Sequence, residues 1–217
     1  MAQVSGTATR AALAARLCDA ISVCEQRGWC RGTGGNFSVL LSRRPLELLI
    51  TPSGFDKARL APGELLVVDE RGRPCGEAAA GPSAETLLHC AVVRATGAGA
   101  VFHTHSVAAT LLGEHFLAQG GFLLQNYEML KGLRGIRTHE ARVPVPVLAN
   151  SQEIGGLAAR VEELLAATPG VHGFLLAGHG LYTWGDDIAA AKRHLEVLEF
   201  LFETVARKTP FAPFLGT

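Results

Sequence analysis

Residues 98–106 read AGAVFHTHS, which joins a strand candidate of small and apolar residues (98–102) to two histidines one residue apart. In a β-strand, residues i and i+2 point to the same face, so His103 and His105 at a strand end would present two imidazoles side by side. Such a pair suits two ligands of one zinc-like ion, at about 2.0–2.1 Å from each nitrogen. This stretch therefore predicts both a strand of the sheet and part of a metal site.

A second stretch offers the third ligand. His179 lies in AGHG, after an apolar strand candidate at 171–177, and its flanking glycines allow backbone and ligand to approach closely. A catalytic zinc takes three protein ligands and keeps one position open. We therefore predict His103, His105 and His179 as ligands, the alternative being histidines with ordinary hydrogen bonds. The other histidines are weaker candidates, in predicted helices (His89, His194) or in or near loops (His115, His139, His172).

Hydrophobic periodicity and turn residues extend this pattern along the chain. We predict strands at 37–41, 46–51, 65–68, 98–102 and 171–177, and helices from the N-terminal region to Gly28, from Pro82 to about Arg94, from Asn150 onward, and from Asp186 or Asp187 to about Val205. Ser83 and Asn150 are the expected N-caps of the second and third helices. Short turns join some neighbouring strands, which predicts an α/β fold with a mixed sheet covered by helices. Without repeats or linkers, residues 1–217 are predicted to form one domain.

The composition is typical of a compact globular protein. Of 217 residues, 48% are hydrophobic, and 20 basic residues balance 20 acidic ones. Without a basic excess we expect no nucleic-acid partner, and no apolar run approaches the roughly 18 residues that a membrane span needs. The five cysteines form no CxxC pair, which favours reduced thiols over a disulfide framework. These features predict a soluble, cytoplasmic protein.

Three short stretches could bind an anion. GTGGN (32–36) could offer successive backbone N–H groups, although a tight turn is the simpler interpretation. TPSG (51–54) with Lys57 adds hydroxyls and a positive charge, and Ser83 stands at a predicted helix start. Together they indicate a phosphorylated substrate. The predicted anion-binding residues are Thr33, Gly34, Gly35, Asn36, Thr51, Ser53, Gly54, Lys57 and Ser83.

Two glutamates could move protons. Glu85 lies in the first turn of its predicted helix, where a carboxylate favours the helix dipole in any case. Glu128 follows the apolar residues 122–124, and a carboxylate in a partly apolar place near a metal can act as a general acid/base. The alternative for Glu128 is a solvated charge or a surface pair with Lys131.

The pieces GTGGNFS, TPSGFDK, PSAE, HTHS and GHG resemble the class II aldolase/adducin family across nearly the whole chain. The resemblance implies a three-layer αβα sandwich with a central, mostly antiparallel mixed sheet. It also implies a cyclic homotetramer with active sites near the subunit interfaces. One zinc ion per subunit would be held by the three histidines of HTHS and GHG, and phosphate would be bound by residues 34–36, Thr51, Ser53, Gly54 and Ser83.

The stretches GWCRGTGGNFSV, TPSGFDKARL, YEMLKGLRG and GHGLYTWGDD are similar to those of dehydratases within this family. The resemblance implies the loss of water from a sugar phosphate, with Glu128 as the acid/base. In the family's aldolases that role belongs to the glutamate of PSAE, here Glu85. Some of the dehydratases carry a cysteine at that position, so the division of labour between Glu85 and Glu128 stays open. A sugar-phosphate aldolase or epimerase is the alternative, and the complete ligand set disfavours a non-catalytic, adducin-like domain.

Overall fold

The computed structural model describes residues 6–76 and 80–209, with side chains from residue 9 onward. Five α-helices and eight β-strands lie within these residues. The helices are α1 (Gly6–Gln26), α2 (Thr86–Thr96), α3 (Val107–Phe116), α4 (Ile154–Ala167) and α5 (Ile188–Lys208). The strands are β1 (Asn36–Arg43), β2 (Leu46–Ile50), β3 (Leu66–Asp69), β4 (Ala100–Thr104), β5 (Gly121–Leu124), β6 (Val143–Leu148), β7 (Gly173–Leu176) and β8 (Gly180–Gly185).

The eight strands form one sheet in the order β3-β2-β1-β4-β8-β7-β6-β5. Every neighbouring pair is antiparallel except β6 and β7, which run parallel. This confirms the predicted mixed, mostly antiparallel sheet. Because β4 lies between β1 and β8, the HTHS stretch begins within an interior strand of the sheet and continues just beyond its end.

Helices cover both faces of the sheet, as the predicted three-layer sandwich requires. α1, α3 and α5 pack on one face together with Phe102, whereas α2 and α4 pack on the other face together with Val101 and Tyr182. Side chains alternate along a strand, so His103 shares the face of Val101. The N-terminus of α2, which begins directly after Glu85, therefore lies on the same face as the His103 imidazole.

The two predicted N-caps, Ser83 and Asn150, are wrong. α2 and α4 begin later than predicted, with Glu85 and Glu153 as their cap residues. The Ser83 hydroxyl instead accepts a hydrogen bond from the Glu85 amide at 3.3 Å, which forms a turn before the helix. The Glu153 carboxylate caps α4 itself by accepting from the Gly156 amide at 2.7 Å.

The other predicted elements are confirmed to within a few residues. The β1–β2 hairpin forms, and the Asp187 carboxylate caps α5 by accepting from the Ala190 amide at 2.8 Å. The five cysteines form no disulfide with one another. Among residues 6–76 and 80–209, no helix has both the length and the apolar character that crossing a membrane requires.

Candidate metal centre

Three histidine side chains converge where β4 ends and β8 begins. The Nε2 atom of His103 lies 2.7 Å from Nε2 of His105 and 3.2 Å from Nε2 of His179. The register of β4 and β8 places His103 opposite Tyr182, which brings the turn before β8 against HTHS. Ligand atoms of the three side chains lie within 4.8 Å of one another. The structure therefore brings the three predicted ligands together.

Hydrogen bonding leaves Nε2 of His103 free to bind a cation. His103 donates from Nδ1 to the Leu181 carbonyl at 2.9 Å, so its lone pair is on Nε2. Burial, with the nearby His105 and His179, lowers the pKa of His103 well below its usual value. Burial, with His179 and Lys57, lowers the pKa of His105 to about 4. Both rings are neutral at neutral pH, which is the form of imidazole that binds a metal.

The spacing of the three nitrogens fits a zinc-like ion. A tetrahedral site with metal–nitrogen distances of about 2.0–2.1 Å has ligand nitrogens roughly 3.3 Å apart. The Nε2 separations of 2.7 and 3.2 Å are close to that spacing. Unshared lone pairs facing one another at such distances repel, and a cation between them removes the repulsion. Three imidazoles with room for a further ligand are typical of catalytic zinc.

Glu85 faces the same point as the three imidazoles. Its Oε1 atom lies 3.2 Å from Nε2 of His179, and its Oε2 atom lies 3.6 Å from Nε2 of His103. The Asn36 side chain donates from Nδ2 to the same Oε2 at 2.5 Å. The carboxylate is therefore positioned at the cluster itself, in addition to its place at the start of α2.

Tyr182 is a residue of the site that sequence reasoning missed. Its ring stacks on the His103 imidazole, with ring centroids 4.0 Å apart and planes inclined by 13°. Its buried hydroxyl lies near the Glu85 carboxylate. Burial and the nearby Glu85 carboxylate raise the pKa of Tyr182 well above its usual value. The neutral Tyr182 ring packs flat against the His103 imidazole and restricts its movement.

The three predicted anion-binding stretches meet beside the cluster. Lys57 joins the first two, because its Nζ donates to the Thr33 carbonyl at 3.0 Å. The second and third are joined by the Ser53 amide, which donates to the Gly81 carbonyl at 3.0 Å. These hydrogen bonds join the three stretches into one continuous rim beside the histidine cluster, formed by residues 32–36, 51–57 and 81–83.

The side chains of this rim differ in how open they are to a ligand. Ser53 and Gly54 are exposed, whereas Thr51 is fully buried and accepts from the Phe37 amide at 3.2 Å. Lys57 is also buried, and its Nζ donates to two backbone carbonyls. Burial lowers the pKa of Lys57. Thr51 and Lys57 therefore hold the loops together, while Ser53 remains accessible.

Position 35 requires glycine. Gly35 has a φ of +77°, and an added Cβ would lie 2.6 Å from the His103 carbonyl oxygen. A side chain at this position would therefore push the glycine-rich turn away from the end of β4. The glycine gives the turn its close contact with the predicted metal ligands.

The structure does not bring Glu128 to the cluster of its own chain. Its side chain is 72% exposed, 2.5 Å from Nζ of Lys131 and 4.0 Å from Nδ1 of His139. The preceding strand β5 lies four positions from β4, roughly 19 Å away at about 4.8 Å per strand. Leu123 and Met129, on either side of Glu128 in the chain, are exposed hydrophobic residues. The catalytic role of Glu128 stays a prediction.

Glu199 of α5 is a buried carboxyl group that the sequence did not point to. It accepts a hydrogen bond from the Thr104 hydroxyl at 3.0 Å. Burial raises its pKa to about 7, although hydrogen bonds from Ser106 and Thr104 act in the opposite direction. Thr104 and Ser106 flank His105. Through its hydrogen bonds with these two residues, Glu199 of α5 supports the segment that carries His105.

We expect Glu199→Gln to make the stability of the fold less dependent on pH between pH 5 and 8. A carboxyl whose pKa rises from 4.5 to about 7 on folding contributes stability below pH 4.5, and this contribution is lost as the pH rises through 7. The amide cannot ionise. As the pH rises from 5 to 8, the free energy of unfolding of the wild type should therefore fall by roughly 3 kcal/mol relative to that of Glu199→Gln. Urea unfolding at several pH values measures the difference.

The matched control is Glu203→Gln, one turn further along α5, where the carboxylate is exposed and pairs with Arg207. Because the Glu203 charge makes a small contribution to the raised pKa of Glu199, this variant should keep most of the pH dependence of the wild type. Parallel curves for the wild type and Glu199→Gln would show that Glu199 does not titrate in this range.

Residues 15–206 match the family described as the class II aldolase and adducin N-terminal domain. The chain is 45% identical over 203 residues to a protein of Sorangium cellulosum (strain So ce56) named methylthioribulose-1-phosphate dehydratase, covering 92% of this chain and 95% of the relative. It is 46% identical over 195 residues to a protein of the same name from Methylococcus capsulatus, covering 89% of this chain and 93% of the relative.

Solved structures share the fold. The L-fuculose-1-phosphate aldolase of Thermus thermophilus has a TM-score of 0.71 and 30% identity, covering 92% of this chain and 96% of that one. A putative aldolase/epimerase/decarboxylase from Escherichia coli has a TM-score of 0.75 and 26% identity, covering 94% of this chain and 93% of that one. The predicted fold class is confirmed.

Proposed function

Because the chain belongs to the class II aldolase and adducin family, we propose that it is the zinc-dependent dehydratase that converts 5-methylthioribulose 1-phosphate to 2,3-diketo-5-methylthiopentyl 1-phosphate and water. It is an enzyme of the lyase class, since relatives covering 92% and 89% of the chain are named as dehydratases. The observation that carries the proposal is the three-imidazole cluster with Glu85 beside it. The reaction would belong to methionine salvage in the cytoplasm.

One zinc ion per subunit would be held by His103, His105 and His179. Such an ion supplies Lewis acidity to the oxygen atoms of a bound ketose. The imidazoles of His103 and His105 are kept neutral for this task, and the hydrogen bond from His103 to Leu181 sets which nitrogen faces the substrate side.

Carboxylates would move the protons. Dehydration removes the C3 proton and the C4 hydroxyl, and the resulting enol tautomerises to the 2,3-diketone. We propose that Glu128 removes the C3 proton and that Glu85 donates the proton with which the C4 hydroxyl leaves as water. Glu85 is held beside His179, 3.2 Å from its Nε2, where the substrate hydroxyls would lie.

Glu128 would reach the site from a second copy of the chain. Its side chain is exposed and has no contact with the cluster of its own chain among the described residues. The exposed side chains of Leu123 and Met129 provide apolar area for a subunit contact. We propose a homotetramer in which each Glu128 serves a neighbouring cluster.

The test is to incubate the zinc-loaded protein with methylthioribulose 1-phosphate and to follow diketone formation and aldol fragments separately. We expect the diketone and one equivalent of water without aldol fragments. Aldol fragments alone would favour the second candidate, a sugar-phosphate aldolase. The structural observation in favour of that candidate is the Glu85 carboxylate at the cluster, on a fold shared with L-fuculose-1-phosphate aldolase.

We expect the rim formed by residues 32–36, 51–57 and 81–83 to bind the 1-phosphate. Unphosphorylated methylthioribulose should lose at least about 10²-fold in kcat/KM, because charge-assisted hydrogen bonds to phosphate are lost. Ser53→Ala should raise KM by about 10-fold with kcat unchanged, since the exposed hydroxyl contributes binding and not proton transfer. Ser42→Ala, at the distant turn of the β1–β2 hairpin, is the matched control. Equal kcat/KM for the two sugars would contradict the phosphate assignment.

A further inference from the structure

His89 is a fully buried histidine that connects to the site through hydrogen bonds. It lies in α2, and both of its ring nitrogens have partners. Nδ1 lies 2.8 Å from the Ser38 hydroxyl, and Nε2 lies 2.5 Å from Oδ1 of Asn36. The same Asn36 side chain donates from Nδ2 to Oε2 of Glu85. Ser38, His89, Asn36 and Glu85 thus form a continuous chain of polar contacts leading to the metal ligands.

The directions of these hydrogen bonds are linked. An amide oxygen only accepts, so Nε2 of His89 must carry the proton that is shared with Asn36. Nδ1 then has the lone pair and accepts from the Ser38 hydroxyl. Burial lowers the pKa of His89 to about 3, so the ring stays neutral at the pH of enzyme assays. The Nε2–H tautomer and the observed orientation of the Asn36 amide therefore require each other.

The orientation of the Asn36 amide determines whether its side chain can hold the Glu85 carboxylate in place. In the observed orientation the Asn36 NH₂ group donates to the carboxylate at 2.5 Å. A flipped amide would place its oxygen against the carboxylate, and two acceptors at that distance repel. Ser83 lies 3.4 Å from the same NH₂ group and does not by itself prevent a flip, because a hydroxyl can donate as well as accept.

We propose that His89 is a positioning residue that locks the Asn36 amide and thereby holds the Glu85 carboxylate beside His103 and His179. This inference rests on the proposed function insofar as Glu85 takes part in the dehydration. The role differs from filling the core, because it depends on the donor and acceptor pattern of the imidazole and not on its volume.

The kinetic test compares His89→Leu with His89→Gln in the zinc-loaded enzyme. Leucine fills space but offers no donor, so kcat should fall by about 10- to 100-fold, with KM and zinc content close to those of the wild type. Glutamine can donate to Asn36 and accept from Ser38, so it should recover most of kcat. A change in KM alone would overturn the proposal, because it would mean that Asn36 serves the phosphate and not Glu85.

His194→Leu is the matched control. This buried histidine also has two hydrogen bonds, to the Trp184 carbonyl and from the Arg134 amide, but none of them leads to the cluster. It should lower Tm as His89→Leu does, yet leave kcat unchanged. If kcat is equal in His89→Leu and the wild type, His89 has only a structural role and the proposal is wrong.

A measurement without substrate separates this inference from the proposed reaction. In ¹⁵N spectra of the histidine-labelled, zinc-loaded wild type, the His89 signals are those missing in His89→Gln. We expect them to show the Nε2–H tautomer, unchanged from pH 8 to pH 5. An Nδ1–H tautomer would overturn the inference even if the enzyme dehydrates its substrate. If the protein shows the expected tautomer but has no dehydratase activity, the inference about His89 stands and the proposed function is wrong.

Discussion

His103→Ala is expected to abolish metal binding and to lower kcat/KM by at least about 10³-fold, a loss of several kcal/mol of transition-state stabilisation. The two remaining imidazoles, His105 and His179, are fewer than the three protein ligands of a catalytic zinc site. Elemental analysis of tag-free protein gives the zinc content, and the diketone assay gives the rate.

His115→Ala is the control for this experiment, since it removes an imidazole in the last turn of α3, outside the cluster. It should keep about one zinc per chain, and its rate should equal that of the wild type. A metal-free His103→Ala enzyme with full activity would rule out a metal-dependent reaction at this site.

Glu128→Gln is expected to lower kcat by about 10²- to 10⁴-fold while zinc and fold are retained. The amide keeps the shape of the side chain but cannot take up the C3 proton. Because Glu128 lies at the surface of its own chain next to Lys131, its substitution should leave the fold of that chain unchanged. Deuterium at C3 should give the wild type a primary isotope effect on kcat/KM if proton removal is partly rate-limiting.

Mixing two inactive variants tests where Glu128 acts. In His103→Ala the cluster is destroyed but Glu128 is intact, and in Glu128→Gln the reverse holds. If each site combines a cluster from one chain with Glu128 from another, equal co-expression should make about a quarter of the sites complete. No recovery in the mixed oligomer would exclude the shared site. Normal turnover by Glu128→Gln, together with an inactive, zinc-bound Glu85→Gln, would leave Glu85 as the acid/base.

Local sequence patterns predicted five of the eight strands and four of the five helices of the described residues, and they singled out the three histidines that cluster; β5, β6, β8 and α3 were not predicted. The His103–His105 pair follows from strand periodicity alone, and Asp187 is recognisable as the start of α5 because an acidic residue precedes an amphipathic run. The glycines beside His179 indicated a close approach, and Gly180 indeed leaves only 2.0 Å between an added Cβ and the Thr104 carbonyl. Each of these signals lies within a few residues of the side chain that it predicts.

The supporting side chains could not be predicted in this way. Tyr182 reaches His103 only because β4 and β8 pair in one register, and Glu199 meets Thr104 across 95 residues of chain. The contact of Asn36 with Glu85 likewise depends on how α2 lies over the sheet. Such contacts follow from strand order and helix placement, which no local pattern encodes.

The central position of β4 and β8 has a consequence for the order of assembly. Two ligands stand at the end of one strand and the third directly before its neighbour, and backbone pairing joins the two strands from Ala100 to Thr104. Because sheet pairing alone brings the three imidazoles together, we expect the protein to keep its fold without a metal ion. Metal supply would then determine the active fraction of the population and not the folded fraction.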